Sequence, residues 1–173
     1  MNGFLLLVPF LLIRFGLLSF LNKDAVKRAA FFAPVKGKEV TAYWLYQLSN
    51  VLIFVILCFQ KVIMDGSWVC MSGIVIYILG LILCVISIID FAAPCENGFH
   101  DNGLYRYSRN PMYLGYFIFF AGCVLLVQSV LLGVVVLVFT ISSHWIILSE
   151  ERWCIDEFGS EYREYAKKVR RYV

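Results

Sequence analysis

Residues 112–148 read MYLGYFIFFAGCVLLVQSVLLGVVVLVFTISSHWIIL, without one Asp, Glu, Lys or Arg. A helix that crosses a bilayer needs about 20 apolar residues, so this run is nearly twice as long as one crossing requires. Its only polar break, Gln128-Ser129, lies near the middle. The economical reading is a helical hairpin, with spans at 112–127 and 130–148. Three more apolar runs lie upstream, at 3–21 (interrupted by Arg14), 44–64 (Lys61 near its end) and 68–89 (closed by Asp90). Asp65-Gly66-Ser67 makes a tight turn between the second and third. The chain is 61% hydrophobic and only 16% charged, with the apolar residues gathered in long blocks, which excludes an ordinary water-soluble domain. The expectation is an all-α, multi-pass membrane protein, one domain over 1–173, with about five transmembrane helices.

The basic residues orient it. Lys23, Lys27, Arg28, Lys36 and Lys38 lie between spans one and two, and Arg106 and Arg109 between spans three and four. Arg152, Arg163, Lys167, Lys168, Arg170 and Arg171 follow span five. Thirteen of the fifteen Lys and Arg residues thus fall on one side, and the bias of Lys and Arg toward the cytoplasm puts the N-terminus outside and the C-terminus in the cytosol. The membrane would be the plasma membrane of a prokaryote or the endoplasmic reticulum of a eukaryote. The first run lacks the basic start and small-residue cleavage site of a signal peptide and is read as a true span. From 149 to 172 the chain is too polar to cross. Phe158, Tyr162, Tyr165, Val169 and Tyr172 recur at helical spacing, which predicts an amphipathic helix along the membrane surface or packed back on the protein. Gly159 marks either a bend in it or a close approach. The six cysteines form no C-x-x-C pair and read as small apolar residues, with no metal site expected.

Chemistry gathers on the basic side. The loop 91–111 is polar and lacks a helical stripe. At its end, Asn110-Pro111 has the form of a helix start, with Asn as the cap and Pro in the first turn. The bare N–H groups of span four would then face the interface, where they suit a carboxylate, with Arg106 and Arg109 beside them. The same residues equally suit anchoring to lipid headgroups. At the far end of the hairpin stands Glu150-Glu151, and two carboxylates beside a bilayer need solvent or partners. A closed hairpin would bring them to Arg109, Asn110 and Tyr113. That constellation suits a zwitterionic ligand, and it suits a plain Arg109–Glu salt bridge as well. His144 lies inside span five and His100 in the loop.

The segment Gly103–Gly115, GLYRYSRNPMYLG, followed by Glu150-Glu151 and then Phe158-Gly159-x-x-Tyr162-x-x-Tyr165, resembles the two signature blocks of the isoprenylcysteine carboxyl methyltransferases and the related phospholipid methyltransferases. The resemblance covers about the last 75 residues, with the hairpin between the blocks. It implies a membrane-embedded methyltransferase that uses S-adenosylmethionine. It implies a cofactor pocket lined by Asn97, Gly98, Phe99, His100, Tyr105, Asn110, Pro111, Met112, Tyr113 and Glu150. Three residues are candidates for the chemistry: Arg109 to orient an anionic acceptor, and Glu151 or His144 to take a proton from an amine. The expected partners are membrane lipid and a hydrophobic or amphipathic methyl acceptor bearing a carboxylate, thiol or amine, with no nucleic acid. The chain departs from the prenylcysteine enzymes at Asn110, where they usually have His, and before Gly103, where Phe99-His100 replaces a Leu-Val pair. It departs again at Ile146, where they carry a substrate-contacting Arg. Sterol reductases share a related C-terminal block, so a nicotinamide-dependent reductase is the second reading and a non-catalytic protein of the same shape the third.

Overall fold

A computed structural model describes residues 1–93 and 98–172. Among the described residues there are six helices: α1 Gly3–Leu21, α2 Lys23–Ala29, α3 Glu39–Phe59, α4 Trp68–Ala92, α5 Pro111–Val127 and α6 Val130–Lys168. A 3-10 turn, Gly103–Arg106, lies between α4 and α5. The described residues contain no strand. Helices α1, α3, α4 and α6 are each long and apolar enough to cross a membrane, and α5, at 17 residues, is shorter.

Local chemistry sets the boundaries. Ser67 accepts a hydrogen bond from the Cys70 amide and starts α4, and Ser129 accepts one from Leu132 and starts α6. Asn22 accepts from Asp24 and Ala25 and starts α2. These are N-caps, in which a short polar side chain replaces a missing helical partner. Gln128 takes the left-handed conformation (φ 51°) that ends α5 and reverses the chain, as a helix C-terminus favours. The second span expected at 44–64 begins at Glu39 instead and ends at Phe59. Residues 60–63 are not helical: the Val62 amide donates to Met1 O and the Ile63 amide to Leu126 O, and these bonds to other segments replace a further helical turn.

The tail is no separate element at 149. Helix α6 continues through it to Lys168, interrupted at Gly159, whose backbone (φ 60°, ψ −126°) is not helical. Beyond Lys168 the chain turns back along the protein, and the Arg109 amide donates to Arg170 O at 2.9 Å.

The legs of the expected hairpin pack mainly on other helices. Helix α5 lies against α4, and glycines decide this. A Cβ on Gly122 would come within 2.5 Å of the Tyr77 backbone, one on Gly115 within 2.9 Å of Cys84 Sγ, and one on Gly80 would fall on the Phe119 backbone. The glycine stripe thus joins two helices of one chain at close range. Helix α6 lies against α3, with Phe139 stacked on Tyr46 at a centroid distance of 5.1 Å. Helix α1 closes the core through Phe10, stacked at 4.7 Å on Phe119. Because α5 and α6 turn to different partners, they leave space between them at the end that carries most of the basic residues.

Candidate active site

That space is a cavity of about 520 Å³. Its walls come from α1 (Arg14), α2 and the segment after it (Lys27, Arg28, Phe31, Phe32), the loop (Gly98, Phe99, His100, Tyr105), the start of α5 and the middle of α6. Two carboxylates face it, Glu150 and Glu151, and their surroundings differ.

Glu151 is 7% exposed and fully engaged. Arg171 Nε donates to it at 3.0 and 3.1 Å and Arg171 Nη2 at 2.9 Å. Arg109 Nη2 lies 3.3 Å away, and Asn110 Nδ2 donates at 3.4 Å. A buried carboxylate needs such a set of partners, and this set ties α6, the start of α5 and the returning tail together. Glu150 accepts one hydrogen bond, from Tyr113 Oη at 3.0 Å, which leaves most of its acceptor capacity turned to the cavity.

Asn110 stands at the cap position of α5 with Pro111 in the first turn, but its side chain makes no capping bond. It donates instead to Glu151 and, at 3.1 Å, to Arg171 O. The cap expected from the sequence is therefore absent: with Nδ2 directed at Glu151 and Arg171 O, the side chain is turned so that its oxygen accepts nothing from the first turn. The first-turn amides of Met112 and Tyr113, which have no intrahelical acceptor, keep the partial positive charge of a helix N-terminus beside the cavity that both residues line.

The loop is fixed by its neighbours. The Asp90 carboxylate accepts from the Leu104 amide at 2.8 Å, and Tyr165 Oη donates to Tyr105 O at 2.7 Å. Gly98 has φ +81°, and a Cβ there would come within 2.7 Å of the Phe158 ring. Phe99 packs among Phe158, Tyr162 and Tyr165 at centroid distances of 5.2–5.5 Å. The aromatic stripe of the tail therefore clamps the loop. His100 lies between the rings of Phe91 and Tyr105, where burial, helped by Arg28, holds its pKa down at about 4. The imidazole is neutral at physiological pH.

The sequence profile of the phospholipid methyltransferase family matches residues 68–161, more than half of the chain. The chain belongs to this family. It is a membrane protein of a methyltransferase family, and the matched region carries α4, the loop, α5 and the greater part of α6, hence both glutamates and the start of α5. No curated protein and no solved structure is significantly similar to the chain.

Of the residues singled out in the sequence, Gly98, Phe99, His100, Tyr105, Asn110, Met112, Tyr113, Glu150, Arg109 and Glu151 all line the one cavity. Asn97 lies outside the described residues. Pro111 is buried and shapes the helix start without lining the cavity. His144 does not line it either, and its Nδ1 lies 2.8 Å from Tyr172 Oη. Ile146 is wholly buried in the core.

One whole wall of the cavity has no counterpart among the motifs of the sequence. Lys27 and Arg28 stand there only among the charges that orient the chain and Arg14 only as an interruption of the first span, yet all three face the cavity, with Phe31 and Phe32. The segment that carries them is held down by Arg152, whose guanidinium bonds both oxygens of Glu39 at 2.6 and 2.8 Å and Pro34 O at 3.0 Å. Phe31 packs on Trp153 at 5.1 Å. The available signals were a charge inside an apolar span and the pair Phe31-Phe32 in a basic connection.

Proposed function

We propose that the protein transfers a methyl group from S-adenosylmethionine to a hydrophobic or amphipathic acceptor at the cytosolic face of its membrane. The observation that carries this is the meeting, in one cavity, of an uncapped helix start at Met112 and Tyr113 and a carboxylate, Glu150, with spare acceptor capacity. Bare amides suit a carboxylate, and Glu150 suits an ammonium. The residues present thus fit both ends of the cofactor's amino-acid portion. Tyr105, Phe99 and Phe158 offer aromatic surface to the remainder.

Bound there, the cofactor would supply an electrophilic methyl carbon, whose bond to sulfur breaks as the acceptor's lone pair forms the new one. The chain's task is placement and the exclusion of water. Phe31 and Phe32, 49% and 37% exposed, give the cavity an apolar margin through which an acceptor can enter from lipid. A carboxylate or thiolate acceptor needs no base. The candidates for a base are poorly suited to the role, since Glu151 is saturated by Arg109, Arg171 and Asn110, and His144 is turned to Tyr172.

The test is titration of the purified protein with S-adenosylhomocysteine and, separately, with NADPH. Saturable binding of the first is expected. No binding with the helix content intact would end the methyltransferase reading, and saturable binding of NADPH would replace it with the reductase one.

A further inference from the structure

Arg14 belongs to the first apolar span, about two turns from its end, where an unsolvated guanidinium is costly unless it faces a cavity or a partner. It is partly buried and does both only in part. Nη2 donates to Ala29 O and Nη1 to Met112 Sδ, each at 2.9 Å, and the group lies 5.5 Å from the Tyr116 ring centroid. None of these partners is an anion, and none of the ion pairs among the described residues includes Arg14. A guanidinium has five N–H donors, so this one keeps hydrogen-bonding capacity beside the cavity it lines. A second feature singles out the site. Residues Leu12–Leu17 form a π-helical segment with Arg14 in it, and such widened turns occur often at functional positions.

The charges around the cavity agree. Glu151 is shared by Arg109 and Arg171, so this carboxylate cancels one of their two positive charges. That leaves the other, with Arg14, Lys27 and Arg28, against Glu150 alone, and Lys27 is partly offset by exposed Asp24 at 3.3 Å. The proposed cofactor carries one carboxylate, one ammonium and one sulfonium, so binding it adds positive charge. A cationic acceptor headgroup would face repulsion, while an anionic one would meet a partly buried guanidinium able to bond it through two donors. Ile146 lies in the core, so that position offers the cavity no cation.

We infer that Arg14 is a specificity-determining residue that binds an anionic group, carboxylate or phosphate, of the methyl acceptor. This rests on the methyltransferase reading, which binding of S-adenosylhomocysteine tests separately in the same preparation.

The experiment uses the full chain in nanodiscs of neutral lipid, loaded with S-adenosylhomocysteine. Dodecyl phosphate, dodecanoate and dodecylamine are titrated in turn, and binding is read as a saturable rise in the unfolding midpoint. At least one anionic probe is expected to bind tenfold or more tightly than the amine, and whichever binds better distinguishes phosphate from carboxylate. Arg14→Gln should remove that preference while leaving S-adenosylhomocysteine affinity within about twofold. Arg14→Lys should keep the preference for anions over the amine but weaken the favoured anion several-fold, because an ammonium cannot form the paired bonds. Equal binding of amine and anions by the parent, or no saturable anion binding, overturns the inference. So does an undiminished preference in Arg14→Gln. Should that variant fail to fold, Arg14→Lys decides, and an undiminished affinity for the favoured anion in it overturns the inference.

Discussion

The bond between Arg171 and Glu151 has a measurable strength, because its two ends sit in different surroundings. The Glu151 side chain is 9% exposed and that of Arg171 33%. Exposed pairs contribute at most about 1 kcal/mol, whereas breaking a buried one costs about 3–5 kcal/mol. A bidentate contact with one end buried falls between these, at a coupling of about 2 kcal/mol. Arg171→Ala should destabilise by about that much, because Glu151 keeps Arg109 at 3.3 Å and Asn110 at 3.4 Å. Glu151→Ala should cost more, about 3–4 kcal/mol. It strands the Arg109 guanidinium, which is 12% exposed and whose Nε already lacks a partner. The assay is a double-mutant cycle, with unfolding in mixed micelles titrated by SDS and followed by far-ultraviolet circular dichroism. The double variant should be less destabilised than the two single effects added together, by about 2 kcal/mol. A coupling below about 0.5 kcal/mol, the level at which independent sites simply add, would refute the idea that the returning tail holds the site through Glu151.

Glu150→Ala should weaken S-adenosylhomocysteine binding by about 10- to 100-fold, the worth of one hydrogen bond to a charged group, with helix content unchanged; calorimetric titration of both proteins checks this. Gly122→Ala should destabilise by about 1–3 kcal/mol, because its Cβ would lie 2.5 Å from the Tyr77 backbone and push α4 from α5; the same SDS titration measures it. The pKa of His100 is depressed from 6.5 to about 4 on folding, so the unfolded chain takes up the proton first as pH falls. Its contribution to stability is complete above pH 6.5 and declines down to pH 4. His100→Phe should flatten that part of the pH profile of the unfolding midpoint, and an unchanged slope would show that other groups set it.

The start of α5 shows how far the sequence could be read and where it stopped. Asn110-Pro111 marked the helix start, because Pro fits the first turn and a short polar residue precedes it. The pattern could not say where the Asn side chain would turn. A cap needs only local geometry, while Glu151, which draws the side-chain amide to itself, lies 41 residues further along the chain. Glu150 and Glu151 are neighbours in the sequence and look equivalent there. Successive helix positions point in directions about 100° apart, so one meets Arg109 and Arg171 while the other meets Tyr113 and the cavity. The fate of the hairpin was hidden for a similar reason. An apolar run reveals that a helix can cross, but lipid and protein are equally acceptable surroundings for Leu and Val, so composition does not choose the neighbour. Close approach at Gly80, Gly115 and Gly122 made that choice.

By itself, then, the sequence determined the helical membrane architecture, the side on which charge collects, and the two blocks that hold the glutamates and the helix start. Each of these follows from residue type and short spacing, since hydrophobic length, caps and turns act over a few residues. Only the tertiary structure decided that α1 and the segment after α2 complete the cavity, with Arg14 among its walls. That depends on contacts such as Arg14 with Met112, 98 residues apart, and Arg152 with Glu39, 113 residues apart. Such contacts exist only once the helices have packed, because the free energy that selects them belongs to the assembled bundle and not to any local stretch of chain.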